Sequence, residues 1–109
     1  MIYAWQAGLG LPDREYYLKD DDASANIRNE YVAHIQKMFE LAGFDEAEGA
    51  ASTVMALETR IAEAHITKED ARNWPKNYNK VALDELDGVM PNFNWAGFAN
   101  EANLSLIHI

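Results

Sequence analysis

Two amphipathic stretches separated by three residues constrain this chain more than any other feature in it. From about Ser24 to Ala42, the residues Ile27, Tyr31, Ile35, Met38 and Ala42 recur every three or four positions. His34, Phe39 and Leu41 widen that stripe. From about Glu46 to His65, Ala47, Ala50, Val54, Leu57, Ile61 and Ala64 repeat the pattern. A 3.6-residue period is the signature of a helix with one buried side. Only Gly43-Phe44-Asp45 separates the two stretches, and so short a link favours an antiparallel helical hairpin. Gly43 is a natural left-handed stop for the first helix. Alanines in the second stripe let a neighbouring helix approach closely. At the first start, Ser24 or Asp22 can accept the free amides, and the run Asp20-Asp21-Asp22 suits the positive end of the dipole. At the second, Asp45 followed three residues later by Glu48 resembles a capping box.

Around the hairpin the elements are short. Ile2-Tyr3-Ala4-Trp5 is apolar and extended, and Gly8-Leu9-Gly10-Leu11-Pro12 forces a loop. That loop is not a phosphate cradle, because no Gly-Lys-Ser/Thr follows. Asp13 to Leu18 reads as one helical turn, and Lys19 to Asp22 as a polar connector. Thr67-Lys68-Glu69-Asp70 opens a turn or two, which Trp74-Pro75 is expected to end. Lys76 to Val81 reads as connector, Leu83 to Val89 as a short helix, and Asn94 as the cap of a last segment, Trp95 to Ala102. The end, Asn103 to Ile109, alternates apolar and polar residues as a strand would. The fold class is therefore mainly α.

Composition excludes several partners. Nine Lys and Arg against eighteen Asp and Glu give a net charge of −9, which repels nucleic acid and anionic membrane surfaces. The chain has no cysteine, so it has no thiol nucleophile, disulfide or cysteine-held metal. No apolar run approaches the ~20 residues of a membrane span.

The remaining chemistry is sparse. His34, His65 and His108 lack a second histidine at ligand spacing. Glu30 and His34 share a helix face, but one such pair reads as helix surface rather than metal site. An EF-hand loop starting at Asp20 needs Gly at its sixth position and Glu at its twelfth; Ala25 and Tyr31 stand there. Glu58 and Glu63 read as solvent contacts interleaved by Arg60 rather than as an acid–base pair. Ser24, Ser52 and Ser105 lie in no Gly-x-Ser-x-Gly. The aromatics Trp5, Tyr16, Tyr17, Trp74, Phe93, Trp95 and Phe98 suit the docking of irregular segments on the hairpin or on another domain. No catalytic or metal residue is assigned, and no substrate-binding residue can be named.

The order of short motifs carries more. Gly8-Leu9-Gly10-Leu11-Pro12-Asp13-Arg14-Glu15-Tyr16-Tyr17-Leu18 resembles a segment of the neprilysin and endothelin-converting-enzyme family of zinc metallopeptidases. Tyr31, His34, Ile35, Met38, Leu41, Ala42 and Gly43 match the helix that follows there. Val54-Met55-Ala56-Leu57-Glu58 and Ile61-Ala62 match the next, Arg72-Asn73 through Tyr78-Asn79 a fourth stretch, and Pro91-Asn92-Phe93-Asn94-Trp95 a fifth. Glu15 and Asn73 stand where that family usually has Asp.

The resemblance implies a part rather than a whole. Residues 1–102 correspond to part of the family's N-terminal helical domain, and 103–109 read as an atypical tail or truncation scar. In that family zinc and the His-Glu-x-x-His motif lie in a later C-terminal catalytic domain, and water attacks the peptide bond there. The helices of this region belong to the wall around a chamber that admits peptides. The implied partners are the catalytic domain and, in the whole enzyme, peptide substrates. The chain itself is expected to be inert and to hold no cofactor. The absence of cysteine is closer to bacterial members, which are commonly exported. A free-standing acidic interaction module is the alternative reading, and a start at Met1 directly in an apolar stretch favours truncation over it.

Overall fold

The computed structural model describes residues 3–102. Among them every regular element is helical, and they divide into two compact units. The expected strand at Asn103 to Ile109 lies outside the described residues.

The first unit, Gln6–Lys68, is the hairpin with an N-terminal segment laid along it. It contains α1 (Glu15–Leu18), α2 (Asp22–Leu41) and α3 (Ala47–Ala64). Helix α2 starts two residues before the expected Ser24, because Asp21 is its cap. The Asp21 carboxylate accepts from the Ser24 amide at 2.6 Å, so neither Ser24 nor Asp22 has that task. Gly43 ends the helix at φ +86°, a conformation that costs other residues the clash of a Cβ. The capping box at Asp45 and Glu48 is not made. Helix α3 opens after Glu46, whose side chain caps nothing.

The helices α2 and α3 pack on each other along a narrower seam than the stripes suggested. On α2 it follows Ser24, Arg28, Tyr31 and Ile35; on α3 it follows Ala51, Met55, Glu58 and Ala62. Both sets step by four, three and four residues, the spacing of a heptad seam. Ala51 and Ala62 have no exposed surface, and Ile35 is buried. The expected positions Met38, Leu41 and Leu57 instead face solvent, with Leu41 71% and Met38 55% exposed. Close helix approach needs small side chains, so Ala51 and Ala62 lie inside, Leu57 is left outside, and Val54 and Ile61 are half-buried. Helix α3 thus carries two apolar stripes, of which the hairpin uses one.

The second unit comprises Tyr3–Trp5 and the described residues from Glu69 onward. After α4 (Lys68–Ala71) comes α5 (Trp74–Asn77). Trp74-Pro75 therefore begins a helical turn rather than ending one. Proline at the first positions loses no hydrogen bond, since those amides have no partner within the helix, and the Asn73 side chain accepts from the Lys76 amide at 3.3 Å. A 3-10 turn over Leu83–Glu85 runs into α6 (Leu86–Val89). Helix α7 (Trp95–Glu101) is capped by Asn94, as expected, which accepts from the Gly97 amide at 3.0 Å. Aromatic rings in this unit pair among themselves. Trp5 stacks on Trp74 with centroids 6.3 Å apart, and Phe93, Trp95 and Phe98 form a cluster in which Phe98 meets the other two rings edge-on and Phe93 is tilted on Trp95. Trp74 is nevertheless 74% exposed, and Ala99 is the buried residue of α7.

Candidate functional site: a tyrosine–carboxylate clasp

The densest polar cluster of the first unit centres on Glu58, on the seam of α3. Its carboxylate accepts from the Tyr17 hydroxyl at 2.5 Å, from the Tyr31 hydroxyl at 3.0 Å to each oxygen, and from the Gly10 amide at 3.2 Å. Tyr17 also accepts from the Leu11 amide at 2.9 Å. A single hydroxyl thus joins the loop backbone to the carboxylate. Glu58 is half-buried and Tyr17 is buried. Removing a carboxylate from water is costly unless donors replace the lost hydration, and two phenols and an amide do so here.

Each partner is positioned by its own element. Tyr17 comes from α1 and Tyr31 from the middle of α2, level with Glu58 across the hairpin. Gly10 is required by contact: a Cβ there would lie 2.0 Å from the Tyr31 hydroxyl oxygen. Gly8, two residues earlier, has φ +95° and turns the loop toward α3.

Flanking bonds secure the same segment. The Arg14 guanidinium donates through Nε to the Ala62 carbonyl at 3.2 Å, near the negative end of α3. Arg28 donates to the carbonyls of Tyr16 at 2.9 Å and Lys19 at 2.7 Å, closing the end of α1. Asp13 pairs with Lys68 at 2.7 Å. Partial burial raises the Asp13 pKa, but the Lys68 ammonium and the Glu15 amide outweigh it and hold it below the usual carboxylate value. At the N-terminal edge, the Gln6 side chain accepts from the Ile66 amide at 2.9 Å, and His65 Nε2 lies 3.2 Å from the Ala7 carbonyl. That contact requires the ring nitrogen to carry the proton.

The cluster is built to hold rather than to react. Burial first, and the hydrogen bond to Glu58 second, push the Tyr17 pKa above the ordinary phenol range, and the same causes raise that of Tyr31. Neither phenol is an acid at neutral pH, and the carboxylate is held by three donors, the Tyr17 and Tyr31 hydroxyls and the Gly10 amide. Glu63 is exposed and does not join it, so the two carboxylates form no acid–base pair. Glu30 and His34 are both exposed on α2, and His108 lies outside the described residues. The described residues contain no group of three His, Asp or Glu side chains that could hold a metal. They do not fit a zinc ion.

Glu58 is the residue that sequence reasoning placed wrongly, as a solvent contact. Sequence alone carries no signal for it, because its register with Ala51, Met55 and Ala62 matters only once those alanines are seen to face α2. The clasp also explains why three of the motifs occur together. Gly10, Arg14 and Tyr17 come from the first, Tyr31 from the second, and Glu58 and Ala62 from the third, and in space they are one unit.

A family model for the N-terminal part of peptidase family M13 matches residues 1–108. The chain belongs to peptidase family M13. Its M13 relatives include endothelin-converting enzyme-like 1 of Mus musculus, 35% identical over 92 residues, which cover 83% of this chain and 12% of the relative. Neprilysin-3 of Drosophila melanogaster is 31% identical over 99 residues, covering 89% of this chain and 13% of its own length. Endothelin-converting enzyme 1 of Homo sapiens is 31% identical over 103 residues, 92% of this chain and 13% of its own. The M13 chain thus spans about an eighth of the length of these relatives. No solved structure matches it.

Proposed function

We propose that this chain is a structural part of the N-terminal lobe of a neprilysin-like zinc metalloendopeptidase. In this reading its outward faces pack against the rest of that lobe and the catalytic domain, forming part of the wall that limits peptide access to the chamber. Zinc and peptide hydrolysis belong to the C-terminal catalytic domain. The observation that carries the reading is a pairing of coverage and exposure. The sequence matches only 12–13% of the relatives named above, while Met38, Leu41, Phe44 and Leu57 stand in solvent on the hairpin. Met38 and Leu41 are one helical turn apart on α2, and large exposed apolar side chains of this kind are the mark of a surface meant to be covered.

Two measurements test it. The coding DNA downstream of Ile109 is expected to continue in frame to a His-Glu-x-x-His motif; a stop codon at that point supports the interaction module instead. The purified 109-residue chain is expected to cleave no peptide with or without added zinc. Zinc-dependent cleavage that tracks with the polypeptide through purification contradicts the proposal.

A further inference from the structure

We propose that Glu58 is a positioning residue that fixes the loop Gly8–Pro12 on the hairpin by acting at two backbone amides, one directly and one through Tyr17. This goes beyond the reading above and holds whatever the outer faces meet. Of the loop residues, Gly10 and Leu11 offer consecutive amides to the cluster. The Gly10 amide reaches the carboxylate itself. The Leu11 amide reaches only the Tyr17 hydroxyl, which spends its proton on Glu58 and so turns its lone pairs to the loop. A hydroxyl that donates to a carboxylate is polarised into a better acceptor, so the bond to Leu11 depends on a residue 47 positions away that it does not touch. Tyr31 completes the device from the other helix. Its hydroxyl divides between the two Glu58 oxygens and occupies the space where any side chain at position 10 would stand. Glycine at position 10, tyrosines at 17 and 31 and a carboxylate at 58 therefore specify one another.

The backbone amides report the relay directly. In amide hydrogen exchange followed by NMR on the 109-residue chain, Gly10 and Leu11 are expected to exchange at least about tenfold slower than in an unstructured peptide. Glu58→Ala is expected to speed both by about tenfold or more while the interior amides of α2 and α3 keep their rates. Glu58→Gln retains the shape with one acceptor oxygen and should speed both by less. Tyr17→Phe should speed Leu11 more than Gly10. A Leu11 amide unmoved in Glu58→Ala, with Gly10 alone accelerated, overturns the relay. Wild-type amides without protection overturn the fixed loop. If Glu58→Ala unfolds the hairpin, the Gln and Phe variants decide. Loss of α2 and α3 protection in the near-isosteric Glu58→Gln shows that Glu58 holds the hairpin rather than the loop, and overturns the proposal.

Discussion

Two glycines show how differently one residue type can be constrained. Gly10 faces the Tyr31 hydroxyl, so Gly10→Ala forces that ring away and breaks its bonds to Glu58. Such overpacking is expected to cost about 1–3 kcal/mol of stability in denaturant titration. Gly49 lies inside α3 with nothing near where a Cβ would go, and Gly49→Ala should gain about 0.5–1 kcal/mol. The tyrosines make a second residue-scale prediction. Because the folded-state pKa of Tyr17 is raised, its contribution is complete below the ordinary phenol pKa of about 10 and is lost as pH climbs above it. Tyr17→Phe should therefore lower the melting temperature at pH 7 and make its decline above pH 10 shallower than in the wild type. From sequence alone, Gly10 reads only as a loop former and Glu58 as a surface charge. A carboxylate on a seam looks like any other acid until the donors around it are known, and those come from residues 27 to 48 positions away.

At the scale of the element, the hairpin was legible because both helices repeat apolar residues over five turns and Gly43 stops the first. Their boundaries were less so. Ser24 and Asp22 were the expected caps, and Asp21 serves instead, because which residue caps depends on where the chain turns after α1. Asp21→Asn should keep the cap, since the amide oxygen still accepts from Ser24, while Asp21→Ala should lower the thermal midpoint and fray the first turn of α2. Exchange at the Ser24 and Ala25 amides would register the fraying. The bonding in this first turn also holds the Asp21 pKa below its ordinary value, so the cap weakens as pH falls below the carboxylate range. Pro75 stands at the start of α5 for a related reason. It does bar a helix from running through it, yet it serves equally well as a beginning. The choice of stripe on α3 was not legible, because both stripes are apolar and only packing against α2 favours the smaller one.

For the molecule as a whole, interior is unevenly shared. Tyr17, Ile35, Ala51 and Ala62 are buried in the hairpin unit, whereas Ala99 is the buried apolar residue of the second unit among the described residues. Heating the 109-residue chain is therefore expected to give a broad transition, with α7 amides losing protection below the temperature at which those of α2 and α3 do. A single sharp melt with both sets lost together would mean that the units fold as one. The central proposal is that the outer face of the hairpin is covered when the segment sits in a full-length M13 enzyme, and Met38 reports on it directly. Its oxidation by hydrogen peroxide can be timed by mass spectrometry, both in this chain and in a full-length M13 protein built to contain it. The proposal predicts rapid conversion to sulfoxide in the isolated chain and at least about tenfold slower conversion in the full-length M13 protein, as burial excludes the oxidant. Equal rates in the two would leave the face uncovered and contradict it.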